Sequence, residues 1–326
     1  MLLGELLVVE EHLWAIAPGD WIPPGEPSAP DEGHPLPDAP APDPEAVRII
    51  KQLLEEPEFL RTFFQPVVSL AEGRVIGYEA LTRGPSGTVL ESPRVLFSLA
   101  RRAGLLLELD RLSRLLAVRR AAGLVPPDDL LFLNVASVAP LLRVTVTPPA
   151  GATPSTPGMA AAEAGAPAAC PRDALYLDEL KAELRHPAVL ELSEEDPSLR
   201  DPLLAPILPA LRAKGWQFSL DDFGVAFSGL ASLVELQPEW LKLDRVLVKG
   251  LASDPRRRRF LATLVEGARR AGINVVAEQV ETLDELAVLL AENVAFAQGY
   301  VLAPPAPVPP SLSPEAMELL TKYQRP

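Results

Sequence analysis

Cysteine is almost absent: the one thiol in 326 residues is Cys170, so the chain has no disulfide framework and no cysteine-rich metal site. Histidine is nearly as scarce, and His12, His34 and His186 are not grouped. Positive charge is in deficit, with 30 Lys and Arg against 44 Asp and Glu and a formal net charge of -14. That balance argues against a non-specific grip on DNA or an anionic membrane. Long apolar runs are missing too. None approaches the roughly 18 to 20 residues of a spanning helix, and Met1-Leu2-Leu3-Gly4-Glu5 has no basic n-region. The expectation is a cytoplasmic protein with neither DNA nor membrane as partner.

What is present is a large core, from 48% hydrophobic residues. Residues 1–44 read as a short N-terminal segment and an acidic, proline-rich linker with too little apolar surface to order itself. A second stretch, about 147–171, is rich in Ala, Pro, Gly and Thr and reads as an insertion looped out of the fold. Residues 45–310 form the expected domain, and 311–326 a helical tail. Within the domain, strand candidates at 64–70, 75–79, 130–135, 188–192, 216–221, 240–244, 274–278 and 294–299 alternate with helical stretches. Pro44, Ser92-Pro93, Asp254-Pro255 and the Thr282/Glu285 capping box open helices, while Gly104, Gly215 and Gly272 end them. Prolines 206 and 209 predict a kinked or broken helix. This pattern favours an α/β fold, a (β/α)8 barrel, over an open sheet. Only a turn separates the first two strands, so one of them pairs by a hairpin.

Barrel chemistry sits where strands meet the loops that follow them. The residues at those ends are Glu79, Asn134, Glu191, Asp221, Asp222, Lys242, Asp244, Glu278 and Gln298. Each alone has a plain structural reading: a solvated or capping acid, an Asx turn at Asp221-Asp222, a snorkelling lysine, a glutamine before a tight turn. Together they form one acidic rim that would repel itself without cations, and hard oxygen donors suit Mg²⁺ or Mn²⁺. Asp221-Asp222 is the natural bridge between two ions, an arrangement used for displacement at phosphorus.

At these residues the chain resembles the EAL domain family, which hydrolyses cyclic di-GMP. The resemblance rests on Phe64-Gln65-Pro66-Val67-Val68, Tyr78-Glu79-Ala80-Leu81-Thr82-Arg83, Leu133-Asn134-Val135, Leu190-Glu191-Leu192-Ser193-Glu194, Leu220-Asp221-Asp222-Phe223-Gly224, Leu241-Lys242-Leu243-Asp244, Val276-Ala277-Glu278-Gln279-Val280-Glu281-Thr282 and Gln298-Gly299-Tyr300, in order. It implies a modified TIM (β/α)8 barrel with one antiparallel strand. It also implies two divalent cations, Mg²⁺ or Mn²⁺, held by Glu79, Asn134, Glu191, Asp221, Asp222 and Glu278. Lys242 and Glu278 would act on the nucleophilic water. Gln65, Leu81, Arg83 and Gln298 would lie along the nucleotide, with Asp244 an acidic neighbour and Glu194 and Glu281 supports of the loop after Asp222. The implied product is linear pGpG and the implied assembly a homodimer.

The loop after Asp222 departs from the family pattern at Val225, which is β-branched and stiff, and at Ala226, which stands where the family has Gly. Gln279 also replaces a commoner Gly. An active phosphodiesterase is therefore the first expectation, and a weak or inactive cyclic di-GMP receptor acting as a binding and signalling module the alternative. The 44 residues before the barrel are too few for a sensor domain, so regulation would come through oligomerisation, a separate partner or the acidic segment itself.

Overall fold

The computed structural model describes residues 42–138, 171–202, 204–225 and 229–324. Residues 1–41 of the N-terminal segment, nearly all of the 147–171 insertion with Cys170, and Ala226 lie outside the described residues. Among the described residues no helix is long and apolar enough to cross a membrane.

The helices are α1 (Pro44–Glu55), α2 (Pro93–Arg102), α3 (Leu106–Ala121), α4 (Pro171–Glu183), α5 (Leu204–Ala213), α6 (Gly229–Leu236), α7 (Arg245–Val248), α8 (Pro255–Arg270), α9 (Leu283–Ala291) and α10 (Pro314–Tyr323). The strands are β1 (Arg61–Ser69), β2 (Arg74–Arg83), β3 (Leu130–Val135), β4 (Ala188–Ser193), β5 (Trp216–Phe223), β6 (Trp240–Leu243), β7 (Asn274–Ala277) and β8 (Phe296–Ala297). The described residues divide into two compact units, one holding residues 42–61 together with Arg83–Leu109, the other Thr62–Thr82 and the described residues from Asp110 on.

In the first unit, Asp43 caps α1 by accepting from the N–H groups of Glu45 and Ala46, and Pro44 takes the first helical position. Ala46, Ile49, Ile50 and Leu53 then recur on one face and are buried, as an amphipathic helix requires. On α2, Leu96, Leu99 and Ala100 do the same.

The second unit is built on the barrel. Its strands close in the order β1 to β8, with β2 through β8 parallel and β1 antiparallel to β8, Val68 facing Ala297. One strand against seven is the modified barrel expected, and the short β1–β2 turn is its cause: a tight connection reverses the chain. Side chains alternate across each strand. The outward set, with Leu190, Phe218, Leu220 and Leu241 among it, is buried in the main core beneath the helices. The inward set forms a separate plug of Val67, Phe132, Val189, Trp240 and Val276, with Phe296 packed against it. Trp240 meets Phe132 edge-on at 5.3 Å and Phe296 at 5.1 Å, and its indole N–H donates to Gln217 at 2.7 Å.

The helix signals appear as capping by Asp254 and as the complete Thr282/Glu285 box. Of the two outcomes expected for Prolines 206 and 209, a break is not seen, since α5 is continuous. Pro206 occupies the first turn, where a backbone N–H has no helical partner, and the helix continues through Pro209 at the loss of one internal bond. Ala316 and Leu320 of α10 enter the main core.

Candidate active site

The site is the next layer of the plug. Two residues beyond Phe132, Val189, Trp240, Val276 and Phe296 the same inward face carries Asn134, Glu191, Lys242, Glu278 and Gln298. On antiparallel β1 the same level is reached two residues before Val67, at Gln65. Asp221 follows Ser219, the residue in register with Glu191. A period of two, read upward from an apolar floor, thus gathers amides, acids and one lysine at the C-terminal mouth.

At the centre is Lys242, 1% exposed. Its Nζ lies 2.7 Å from Glu191 Oε1, 2.8 Å from Glu278 Oε1, 3.1 Å from Asp221 Oδ1 and 3.3 Å from Glu79 Oε2. Four carboxylates about one ammonium leave three negative charges if all ionise. Glu79 is the best satisfied, accepting from Asn134 Nδ2 at 2.8 Å and from Gln298 Nε2 at 2.7 Å. Gln298 also donates to Gln65 Oε1 at 3.1 Å, and Gln65 in turn to the Ala303 carbonyl.

Protonation follows these surroundings. Burial, then the Glu79 charge, pushes the Glu191 carboxyl well above the ordinary range. Burial, then Asp221, does the same to Glu278. Burial and Asp221 raise Asp222 to about 7. For Glu79 burial pulls upward, but Lys242 and the amide donors outweigh it and the carboxyl lies low. Burial works against the Lys242 ammonium, yet the acids around it hold its pKa well above the usual value.

Several of these oxygens lack hydrogen bonds. Both oxygens of Glu191 and Oδ1 of Asp221 are buried without a hydrogen-bonded partner. Their short distances to Lys242 are ionic contacts without hydrogen-bond alignment. Among the described residues, Asp221, Asp222 and Glu278 can each bring a carboxylate oxygen within 4.8 Å of the others. Asp221 belongs to both sets, and carboxylate oxygens grouped in this way fit hard divalent cations. The Asp222 backbone has φ 56°, left-handed for a residue other than glycine.

The outlying candidates divide. Glu194 Oε2 accepts the Gly224 N–H at 3.0 Å. Glu281 pairs with Arg245 of α7 at 2.6 Å. Asp244 serves as the cap of α7, accepting from Val246 N at 2.7 Å, while its charge still bears on Asp222. Leu81 and Arg83 are half-buried at the end of β2, and Arg83 belongs to the first unit. His186 is structural, its ring bonded to the Val125 carbonyl. Sequence reading missed Arg245, which donates to the carbonyl of Gln279 at 2.7 Å as well as to Glu281. Gln279 has φ 51°, so the arginine ties down a strained turn directly after Glu278. Only its place beside Asp244 could have drawn attention to it.

A closed barrel with one reversed strand and a cation-suited acidic mouth defines the class. The EAL domain model matches residues 47–145 and 173–305, and the chain belongs to the EAL domain family. It is 29% identical over 266 residues to cyclic di-GMP phosphodiesterase NbdA of Pseudomonas aeruginosa, covering 79% of this chain and 30% of that protein. It is 33% identical over 119 residues to cyclic di-GMP phosphodiesterase PdeL of Escherichia coli, 36% of this chain and 33% of the other. The chain spans a third or less of the length of these relatives. Among solved structures, a standalone versatile EAL protein of Vibrio cholerae bound to c-di-GMP superposes with TM-score 0.60 at 25% identity, covering 79% of this chain and 97% of that one. A manganese/cy-diGMP complex of Klebsiella pneumoniae BlrP1 gives TM-score 0.59 at 27% identity over 76% and 56%.

Proposed function

We propose that the protein is a cyclic-guanylate-specific phosphodiesterase that opens cyclic di-GMP to linear pGpG. The observation that carries this is the cluster of four carboxylates about Lys242, with buried oxygens that lack hydrogen bonds. Glu79, Asn134, Glu191, Asp221, Asp222 and Glu278 would hold two divalent cations, Mg²⁺ or Mn²⁺. Bound there, such ions polarise phosphoryl oxygens and acidify water. Lys242 places a fixed positive charge beside the attacking water and the phosphate, and Glu278 would accept or return a proton at its carboxylate. Gln65 and Gln298, already bonded to each other, present amides to the nucleotide, with Leu81 beside them and Asp244 at the edge. Glu194 steadies the turn after Asp222, and Glu281 acts through Arg245.

A homodimer is part of this reading. Leu230 and Val234 stand one turn apart on α6, 69% and 72% exposed, and a second copy would cover them. A separate regulatory partner is proposed only as the alternative source of control. The second reading, a weak or inactive receptor, is favoured by Val225, a stiff and exposed residue in the turn that Asp222 begins.

The deciding experiment incubates the purified chain with cyclic di-GMP and Mn²⁺ or Mg²⁺ and separates the products by chromatography. Formation of pGpG that Glu79→Ala abolishes supports the enzyme. Ligand binding in Ca²⁺ with no pGpG in Mn²⁺ or Mg²⁺ would establish the receptor instead.

A further inference from the structure

A second charged group is buried outside the mouth. Asp110 and Arg114, one turn apart on α3, are both buried, and Arg114 Nη2 lies 2.6 Å from Asp110 Oδ2. Isolating two charges from water is costly, and an apolar pair of similar volume commonly stabilises a fold as well. The remaining bonds show where the pair is directed. Arg114 Nη1 donates to Asp110 Oδ1 at 2.7 Å and to the backbone carbonyl of Asn134 at 3.0 Å. Asp110 Oδ1 accepts the N–H of Ala136 at 3.2 Å. Arg114 Nε donates to the Tyr176 hydroxyl at 3.2 Å, and that hydroxyl donates to the Arg111 carbonyl at 3.1 Å. Arg114 and Asp110 therefore bracket the backbone on both sides of Val135, and Tyr176 from α4 fixes the orientation of the guanidinium. From the other side Val138 N donates to Asp196 Oδ2 at 2.8 Å, in the segment that follows β4.

We infer that Asp110, Arg114 and Tyr176 form a positioning device for Asn134, setting where its amide stands at the mouth and hence the affinity of the site for a divalent cation. This rests on the cation reading given above. The Asn134 side chain is exposed and, among the described residues, is bonded to Glu79 Oε1. Its position is fixed through its own backbone, and a planar fork that binds a carboxylate and a carbonyl together does this in a way a lysine cannot.

The test is Asp110→Asn with Arg114→Met, which removes both charges together and leaves an oxygen for Ala136 N. Mn²⁺ affinity is measured on the full chain by the electron paramagnetic resonance signal of free Mn²⁺, without substrate. The folded double variant should bind Mn²⁺ about tenfold or more weakly. In an Asn134→Ala background the same pair of changes should add no further loss, because the device acts through Asn134. Unchanged Mn²⁺ affinity, or an undiminished effect in the Asn134→Ala background, overturns the inference. Should the double variant not fold, Tyr176→Phe removes one hydroxyl and should weaken Mn²⁺ about threefold, with unchanged affinity again overturning it. A wild-type chain that binds no Mn²⁺ overturns the cation reading and this inference together. One that binds Mn²⁺ yet makes no pGpG overturns only the phosphodiesterase.

Discussion

Lys242 Nζ stands 2.7 Å from Glu191 Oε1, and neither oxygen of that buried glutamate has a hydrogen bond. The two charges are thus in contact without being mutually satisfied. A stability-optimised interior would bond both oxygens or replace the pair by hydrocarbon. The unbonded acceptors are instead consistent with ligand atoms for a cation, at the cost of stability without one.

Lys242→Ala should remove pGpG formation and also destabilise the chain in EDTA. The ammonium is the nearest counter-charge to four acids, and breaking such a buried group costs about 3 to 5 kcal/mol. Mn²⁺ should restore part of that loss by supplying positive charge. Thermal melts with EDTA and with Mn²⁺ decide it, and a melting temperature in EDTA equal to wild type would contradict the electrostatic account.

The same charges set a pH dependence. Asp222 is raised from its ordinary 3.8 to about 7, and Glu191 and Glu278 are raised as well. The folded chain therefore binds more protons than the unfolded one between those values. Stability contributed by these groups is present below about pH 4 and is lost as pH rises through 7. Denaturant midpoints in EDTA should fall from pH 5 to pH 8, and saturating Mn²⁺ should flatten the slope. A metal-free midpoint that climbs over this range is the contrary result.

How much of this was legible in the sequence depends on which interactions are local. The ends of apolar runs located Glu79, Glu191, Asp221, Lys242 and Glu278, because a strand places every second residue on one face and the last inward residue at the mouth. Gln65 is harder to read, since it precedes its apolar neighbour Val67, and only reversal of β1 places it level with Gln298. Asp110 and Arg114 carried no signal, because four-residue spacing of opposite charges on a helix looks the same when buried as when solvated. Asp244 is ambiguous in the opposite sense. An acid after a strand reads equally as ligand or as helix cap, and here it caps α7.

Gln279 offers a test of strain. Its φ of 51° is left-handed, a conformation that costs a side-chain-bearing residue about 1 to 2 kcal/mol. Gln279→Gly should raise stability, by up to about 1 kcal/mol once the entropy of glycine is offset. Arg245→Ala should lower it, since that arginine holds the Gln279 carbonyl. Urea denaturation of both variants measures the two effects, and a destabilised Gln279→Gly would show that side-chain contacts outweigh the backbone angle.

Gly229 tests the turn after Asp222 from behind. A methyl group there would come within 2.7 Å of Glu194 Oε1 and of Phe223 Cε2. Glu194 is the residue that holds the Gly224 N–H, and Phe223 directly follows Asp222. Gly229→Ala therefore acts on the proposed ligand from both sides, by dislodging the carboxylate that fixes the turn and by displacing the ring beside it. Overpacking of this kind costs about 1 to 3 kcal/mol, so the variant should still fold. Its loss should appear at the site, as a fall in turnover of about tenfold or more with weakened Mn²⁺ binding. Glu194→Gln is the companion change, because an amide oxygen can still accept from Gly224 while the charge is gone, and it should retain most of the Mn²⁺ affinity. If Gly229→Ala matches wild type in both turnover and Mn²⁺ affinity, Glu194 does not position Asp222, and the support assigned to it is wrong.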